Sequence, residues 1–545
     1  MNGSLPAALP PPPPSALYAN AETSEARSGS LLGYLMLLAP YGLATAVASM
    51  PLASYLVAWL GSWMILVLTL GGYVRPLPGG SAFDQVMRPI VLTQLLFAGY
   101  NFMSSVFYVA DLNGFFYLQR ITTVIPPGAM EVTAQAQRYY VLAHGSIAVG
   151  MLAAMDYRRS GEWAVRPLPN PALTALWVSL FCLVVGKVLG GRSQFGIRIE
   201  QIGLVASVLS LGLAIPTRRA GTMLLGLGIY GLNMTSAFLS GWKEEVLVMV
   251  LLLAVFVYPY AKRTVTIGAP IVMVLLLAFL PTYVDVVRGM SWSRDKTGSQ
   301  EARASSDEAA SVALDVMQSG EIDIAENNWE FLTHRLSQIS MFVKYITVVE
   351  ATNAKQPNGG YYGTQILEQT VGNLIPRAFW EDKPVTEEMV MERVYAADVV
   401  SENSTVSAKP QYVVDGYLSW GALGVLLSGL AFGLIASWAS RACERWFGGY
   451  FWGSGLIYTA MFAVLWKGSS FEYFFNTILW SFVLLIPLFW FGRMRGLLVH
   501  SDALAADEAP EPDEELEPGR ELQPEAEPAE TLRPARARRR HWAVT

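Results

Sequence analysis

The sequence predicts an all-α polytopic membrane protein: a bundle of about twelve transmembrane helices with one partly helical external domain between spans nine and ten. Three observations predict it. Of 545 residues 53% are hydrophobic and only 15% charged, where a soluble domain carries about a quarter charged residues. The apolar residues are gathered into runs near the length of a bilayer, and a backbone in hydrocarbon satisfies its own polar groups as a helix. One long hydrophilic interval, Arg288–Gln411, interrupts the hydrophobic series.

Hydropathy places the first five spans at Leu31–Ser49, Leu52–Val74, Ile90–Ala110, Tyr140–Met155 and Pro171–Gly190. Residues 31–74 are 44 without a charge, too many for one crossing, so the chain is read as a hairpin turning at Met50-Pro51. Four more follow at Ile202–Pro216, Thr222–Ser240, Val246–Tyr260 and Val265–Val287, and the last three at Gly416–Ser437, Phe451–Trp466 and Tyr473–Phe491. The domains expected are therefore an N-terminal tail (1–30), spans one to nine (31–287), the external domain (288–411), spans ten to twelve (412–492) and a C-terminal tail (493–545).

Alternate loops differ in charge. Arg27, Arg75, Arg88, Arg158, Arg159, Arg166, Arg218, Arg219, Lys262, Arg263, Arg441, Arg445, Arg493 and Arg495 fall on one side. Arg120, Arg138, Lys187, Arg192, Arg198, Lys243 and Lys467 fall on the other. The positive-inside rule assigns the first set, and both termini, to the cytoplasm. The 288–411 interval then faces outward. Within it, Asn327-Asn328-Trp329-Glu330 fits a helix start, and Phe331, Leu336, Ile339, Phe342, Val343 and Ile346 lie largely on one face of a helix reaching Val349. Thr386-Glu387-Glu388 opens a second helix, Gln356–Gly363 is turn chemistry, and Ser293–Asp307 reads as polar and mobile. The tails read as disordered: Pro10–Pro14 is polyproline-like, and twelve acids between Ser501 and Glu530 precede an arginine cluster ending at Arg540. That cluster either touches anionic lipid or solubilises the tail.

Several classes are disfavoured. The two cysteines, Cys182 in an apolar span and Cys443 in a basic turn, make no framework, and the four histidines are scattered, so disulfide and metal roles are not expected. Residues 1–30 lack the pattern of a cleavable signal peptide. No cofactor and no nucleic-acid partner is expected.

Cations on the sparsely charged side need a reason. Gly190-Gly191-Arg192-Ser193-Gln194-Phe195-Gly196-Ile197-Arg198 sets two guanidinium groups beside glycines, suited to diphosphate oxygens; interfacial arginines reaching for headgroups are the alternative. Lys243, with Glu244 and Glu245, opens the eighth span, where a helix N-terminus favours anions; an interfacial charge cluster is the alternative. Arg288 is a candidate by its place at the end of the ninth span. His334 is a candidate base, with a surface pair to Glu330 as the bland reading. In Ile375-Pro376-Arg377-Ala378-Phe379-Trp380-Glu381-Asp382-Lys383-Pro384 the prolines stiffen a segment that presents Arg377 and Lys383 to anions and Phe379 and Trp380 to sugar faces. An interfacial turn with aromatic anchors is its alternative.

This last segment resembles a signature of bacterial oligosaccharide-repeat-unit polymerases, the O-antigen type or Wzy family. Three further elements resemble that family: the ten-residue spacing from Arg192 to Gly203, Ser240-Gly241-Trp242-Lys243, and Asp415-Gly416-Tyr417-Leu418-Ser419-Trp420-Gly421-Ala422-Leu423-Gly424. The last is similar to a Glu-x-Tyr-x-Asn-Phe-Gly-x-x-Gly entry to the span after the external loop, with Asp415 and Ser419 departing from its two polar positions. Together they cover roughly residues 185–440. The resemblance implies a fold related to the C superfamily of glycosyltransferases. It also implies transfer of a growing glycan from undecaprenyl diphosphate to a lipid-linked repeat unit, without a metal, alongside a chain-length regulator and a flippase. Arg335 gains weight from it, because the family often presents a cation there. Arg192, Arg198, Lys243, Arg335 and Arg377 would gather on the diphosphates, and Asp415, Glu381 and His334, in that order, are the candidates for accepting the proton. An O-antigen ligase is the sister reading. A lipid-linked oligosaccharide flippase is the rival from another class, and it would favour paired repeats and mid-membrane charge.

Overall fold

At their described residues the twelve apolar stretches fall mostly on helix. A computed structural model describes residues 30–75, 88–115, 128–155, 161–166, 168–189, 194–239, 243–294, 300–302, 305–320, 323–352, 361–375, 380, 382–383, 385–402, 408–462, 465 and 468–503. The expectations for the two tails and for the turn at Gln356–Gly360 lie outside the described residues. The elements named below all belong to the first of two units, Met1–Ser501 and Asp502–Thr545.

Helices α1 (Leu31–Ala46) and α2 (Pro51–Leu70) form the expected hairpin. Ser30 caps α1 through its side chain on the Gly33 N–H, and Pro51 opens α2, where its missing donor costs nothing. Ser54 Oγ donates to Ala44 O at 2.8 Å across the turn. Then come α3 (Pro89–Ala98), a π-helical turn at Gly99–Met103, α4 (Ser105–Leu112), α5 (Ala129–Ala154), the strand β1 (Trp163–Val165), and α6 (Pro171–Leu189). Helices α7 (Gln194–Thr217), α8 (Ala220–Leu239), α9 (Lys243–Val257) and α10 (Lys262–Ser291) complete the run before the hydrophilic segment. Among the described helices eight are long and apolar enough to cross a membrane, and Leu31–Ala46 and Glu245–Val257 are apolar but shorter.

The hydrophilic segment is mostly helical. Strands β2 (Trp292–Arg294) and β3 (Gln300–Ala302) pair antiparallel, so the stretch read as mobile is β-ribbon at residues 293–294 and 300–302 and helical from Ser306. After α11 (Ser306–Ser319), α12 (Ile324–Glu330) is capped by Asp323, whose carboxylate accepts from the N–H groups of Ala325 and Glu326. The cap is thus not at Asn327, because an acceptor one turn earlier already holds the orphan donors. A π-helical turn at Phe331–Leu336 and a break at Ser337 separate α12 from α13 (Ile339–Thr352). The helix expected to run unbroken to Val349 is therefore two. Helices α14 (Gly363–Leu374) and α15 (Thr386–Ala396) follow, the latter starting where the sequence indicated.

The chain closes with α16 (Tyr412–Trp446), a π-helical stretch at Tyr450–Tyr458, α17 (Thr459–Phe462), α18 (Phe471–Met494) and β4 (Leu498–His500). Helix α5 is the central post, packed along α1, α2 and α16. A Cβ on Gly150 would meet the Leu430 carbonyl oxygen, so the small residue lets α5 and α16 approach to backbone contact, the usual basis of helix association without a hydrophobic driving force. Ser437 Oγ donates to Met151 O at 3.0 Å along the same seam. Cys443, read as part of a turn, is buried inside α16, and it and Cys182 are free thiols.

Helix α16 is folded back on itself. Trp420 (φ −151°, ψ 35°) and Gly421 (φ 60°, ψ −139°) leave the helical region. Tyr412 Oη donates to Ser428 O at 3.0 Å, although sixteen residues of straight helix would separate these positions by about 24 Å. Residues 412–419 therefore run antiparallel to the first turns after the break, with Gly416 facing Gly424. The glycines of this stretch, read as the entry to a span, make the reversal possible. Only glycine suits the Gly421 backbone, and a Cβ there would lie 2.7 Å from Tyr361 Oη. The carbonyl of Leu418, released from the helix ladder, accepts from the Tyr362 N–H at 2.7 Å.

At the opposite end of α16 the arginine-bearing loops meet. β1 pairs antiparallel with β4, Arg445 holds Glu162 at 2.5 Å, Arg441 donates to Ala154 O, and the Arg493 guanidinium lies 4.4 Å from the Trp163 ring centre.

Candidate active site

The fold-back brings Asp415 to the first turn of α18. Asp415 Oδ2 accepts from the Phe471 N–H at 2.9 Å, a carboxylate placed at the positive end of a helix. The backbone around it is laced together: Tyr412 N–H donates to Gly468 O, and Gln411 bridges to Ser469. Asp415 is 1% exposed.

The hydrophilic segment supplies the opposing charge. On α15 the apolar positions Val390 and Val394 are buried, and Arg393 projects beside them with its side chain fully enclosed. Its Nη2 stands 3.7 Å from Asp415 Oδ1. Two glutamines one turn apart on α14 hold the guanidinium: Nη1 donates to Gln365 Oε1 at 3.0 Å and Nη2 to Gln369 Oε1 at 2.6 Å. Nη1 also reaches Met389 O at 3.2 Å. A buried charge persists only when paired and hydrogen-bonded in this way. Tyr345 on α13 is buried within electrostatic reach of the same pair. Burial first, then the Asp415 charge, pushes its phenol well above the ordinary range, partly offset by Arg393, so it stands as a protonated donor.

A second, more open carboxylate adjoins. Glu472, in the first turn of α18, pairs with Lys409 at 2.9 Å, accepts from Gln369 Nε2 at 3.3 Å and lies 3.5 Å from Thr386 Oγ1. The Lys409 ammonium lies 4.7 Å from the Tyr473 ring centre. Trp380 and Lys383, both half-buried, lie against α14: a Cβ on its Gly372 would lie 3.9 Å from the Trp380 ring and 3.8 Å from the Lys383 chain. Lys383 Nζ donates to Ile375 O at 3.2 Å. One connected set thus runs from Trp380 and Lys383 over α14 to Glu472, Arg393 and Asp415.

The remaining candidates have other partners. Arg198 is buried between α7, α17 and α18, donating to Met461 O at 3.0 Å and Thr477 Oγ1 at 3.1 Å. With these bonds it ties helices together. Arg335 pairs with Asp285 at 2.7 Å, half exposed, and His334 Nε2 stands 3.9 Å from Asp111, which also accepts from Trp329 Nε1. Arg288 is half-buried on α10, one turn beyond Asp285. Lys243 is the first residue of α9, its side chain outside the description. Arg192, Arg377 and Glu381 lie outside the described residues. Among the described residues no three His, Cys, Asp or Glu side chains group as metal ligands.

Sequence reasoning missed Arg393, Gln365, Gln369, Tyr345, Lys409 and Glu472. One signal for Arg393 was present: an arginine between Val390, Val394 and Ala397, on the apolar face of its helix.

The fold defines an all-α protein with helices suited to a membrane and one buried charged centre where the hydrophilic segment meets them. The chain matches the family model of a domain of unknown function, DUF8712, over residues 39–500, and it belongs to that family. No curated protein and no solved structure matches it.

Proposed function

We propose that the protein is an inner-membrane glycosyltransferase that polymerises lipid-linked oligosaccharides on the outer face. It would have twelve spans and cytoplasmic termini, and move a growing glycan from undecaprenyl diphosphate to a lipid-linked repeat unit. The observation that carries the reading is the Asp415–Arg393 centre, reached from Trp380 and Lys383 through α14. Asp415 lies in the segment resembling the polymerase span entry, and Trp380 and Lys383 in the segment resembling the polymerase signature. In this reading Asp415 takes the proton of the acceptor hydroxyl, Trp380 stacks on a sugar, and Lys383 with Arg192, Arg377 and Lys243 neutralises the leaving diphosphate. Fixed charges aimed at a developing anion lower barriers by several kcal/mol in enclosed sites. His334 ranks below Asp415 because its neighbours are Asp111 and the ring of Tyr108.

The fold-back of α16 also favours a second reading, a flippase, since interrupted helices carrying charge are common where substrates cross membranes. Deleting the gene and sizing the surface glycan separates the two. Loss of polymer with a single repeat unit retained supports polymerisation, as does the same phenotype in Arg192→Ala or Arg377→Ala. Repeat units trapped on the inner leaflet overturn it in favour of a flippase, and a missing join to the lipid A core in favour of a ligase.

A further inference from the structure

Asp415 Oδ1 and four buried polar atoms on residues that adjoin Asp415 in the chain or across the fold, Arg393 Nε, Tyr345 Oη, Gln411 Nε2 and Ser470 Oγ, have no hydrogen bond among the described residues; the Gln411 side chain is held on its other atom, Oε1, by Tyr140 Oη at 2.7 Å. The chain places them together. Gln411 is one turn before Asp415 and accepts the Asp415 N–H through its carbonyl at 3.0 Å. Ser470 precedes Phe471, whose N–H holds Asp415 Oδ2. Arg393 faces Oδ1 from α15, and Tyr345 is close enough to feel both charges. Buried polar groups are nearly always paired, so a cluster of this kind calls for a partner from outside the fold.

The partner's chemistry follows from the inventory. Four of the five atoms are on groups able to donate, and Oδ1 accepts. Arg393 and Asp415 cancel in charge, and an anion brought here would face the carboxylate. A neutral, polyhydroxylated ligand fits, with one hydroxyl donating to Oδ1 and its other oxygens accepting. We propose that these five residues form the subsite for the acceptor sugar of the repeat unit, distinct from the cations that hold the diphosphates. The inference rests on the glycosyl-transfer reading. The acceptor O–H proton passes to Asp415 Oδ1 as the acceptor's own hydroxyl oxygen forms the new bond to the anomeric carbon of the donor. The anomeric carbon–oxygen bond to diphosphate breaks, its electron pair leaves with undecaprenyl diphosphate, and Asp415 later returns the proton to solvent. Tyr345 and Arg393 both come from the hydrophilic segment, so the acceptor enters as α13 and α15 lift from the start of α16.

Tyr345→Phe and Ser470→Ala test this, because each removes an atom with no hydrogen bond to lose. The fold should be as stable as wild type or slightly more so. In membranes supplied with lipid-linked repeat unit extracted from the deletion strain, each variant should raise the KM for that acceptor by about 2- to 10-fold, the span of one hydrogen bond, and leave the donor KM unchanged. An unchanged acceptor KM in both variants overturns the subsite, as would be seen if the atoms held only water. If wild-type protein extends no chains, the glycosyl-transfer reading fails separately. The subsite is then judged by whether the extracted repeat unit raises the Tm of wild type more than that of Tyr345→Phe, and equal shifts overturn it.

Discussion

Replacing Arg393 by Met and Asp415 by Asn, singly and together, tests the buried pair at the centre of the site. Arg393→Met leaves a carboxylate enclosed at 1% exposure with one N–H for company and strips Gln365 and Gln369 of their donor. Removing one member of a buried pair costs about 3–5 kcal/mol. Asp415→Asn keeps an acceptor for Phe471 N–H but leaves the guanidinium without its counter-charge. In the double variant neither orphaned charge remains, so its loss should fall short of the summed single losses by about 2–3 kcal/mol, a coupling expected of contacting residues. Thermal unfolding of the purified full-length chain in detergent, followed by tryptophan fluorescence, reads the difference. Additive losses, within about 0.5 kcal/mol, would show that the 3.7 Å separation is proximity without interaction. The double variant should make no long glycan even where it folds; long chains from it would remove Asp415 from the chemistry.

Two further substitutions separate fold from site. Gly421→Ala forces a side chain into a backbone conformation reserved for glycine and against Tyr361 Oη, so stability should fall by about 1–3 kcal/mol. An unchanged unfolding midpoint would count against the fold-back. Arg198→Met removes the bonds to Met461 O and Thr477 Oγ1 and should lower stability by about 1–3 kcal/mol while the KM of the surviving protein stays put. A raised donor KM with normal stability would return Arg198 to the diphosphate site.

The helices were legible because their signal is local. A run of apolar residues near bilayer length has one way to satisfy its backbone, and at their described residues the twelve stretches are mostly helical, the tenth being broken at Trp420 and Gly421. The reversal in α16 was not legible, since a glycine among apolar residues fits a helical span as well as a turn, and only the contact of Tyr412 with Ser428 tells them apart. Asp415 stood out as a carboxylate at a span boundary. Its partner did not, because Arg393 meets it across twenty-two residues, part of which the helix α15 takes up. Pairing at that separation leaves no periodic trace. Counting cations by loop also favoured Arg198, whose Nη1 and Nη2 donate to Met461 O and Thr477 Oγ1; sidedness says which charges are unusual and nothing about what they touch.

The placement of Asp415 constrains how the protein works. A carboxylate enclosed this fully is tolerable only while Arg393 faces it, and Arg393 is held by α14 and α15, not by the helices that carry Asp415. The hydrophilic segment is therefore part of the site and not a cover laid over it. Any molecule that reaches Asp415 must take over some of what Arg393 and Tyr345 provide, or the charge is left stranded. In the proposed reading binding and opening would be coupled by that requirement: a ligand with hydroxyl groups could replace the donors if the segment lifted, whereas an apolar ligand could not. Selection for a hydroxylated acceptor would then come from the cost of exposing the carboxylate to anything else.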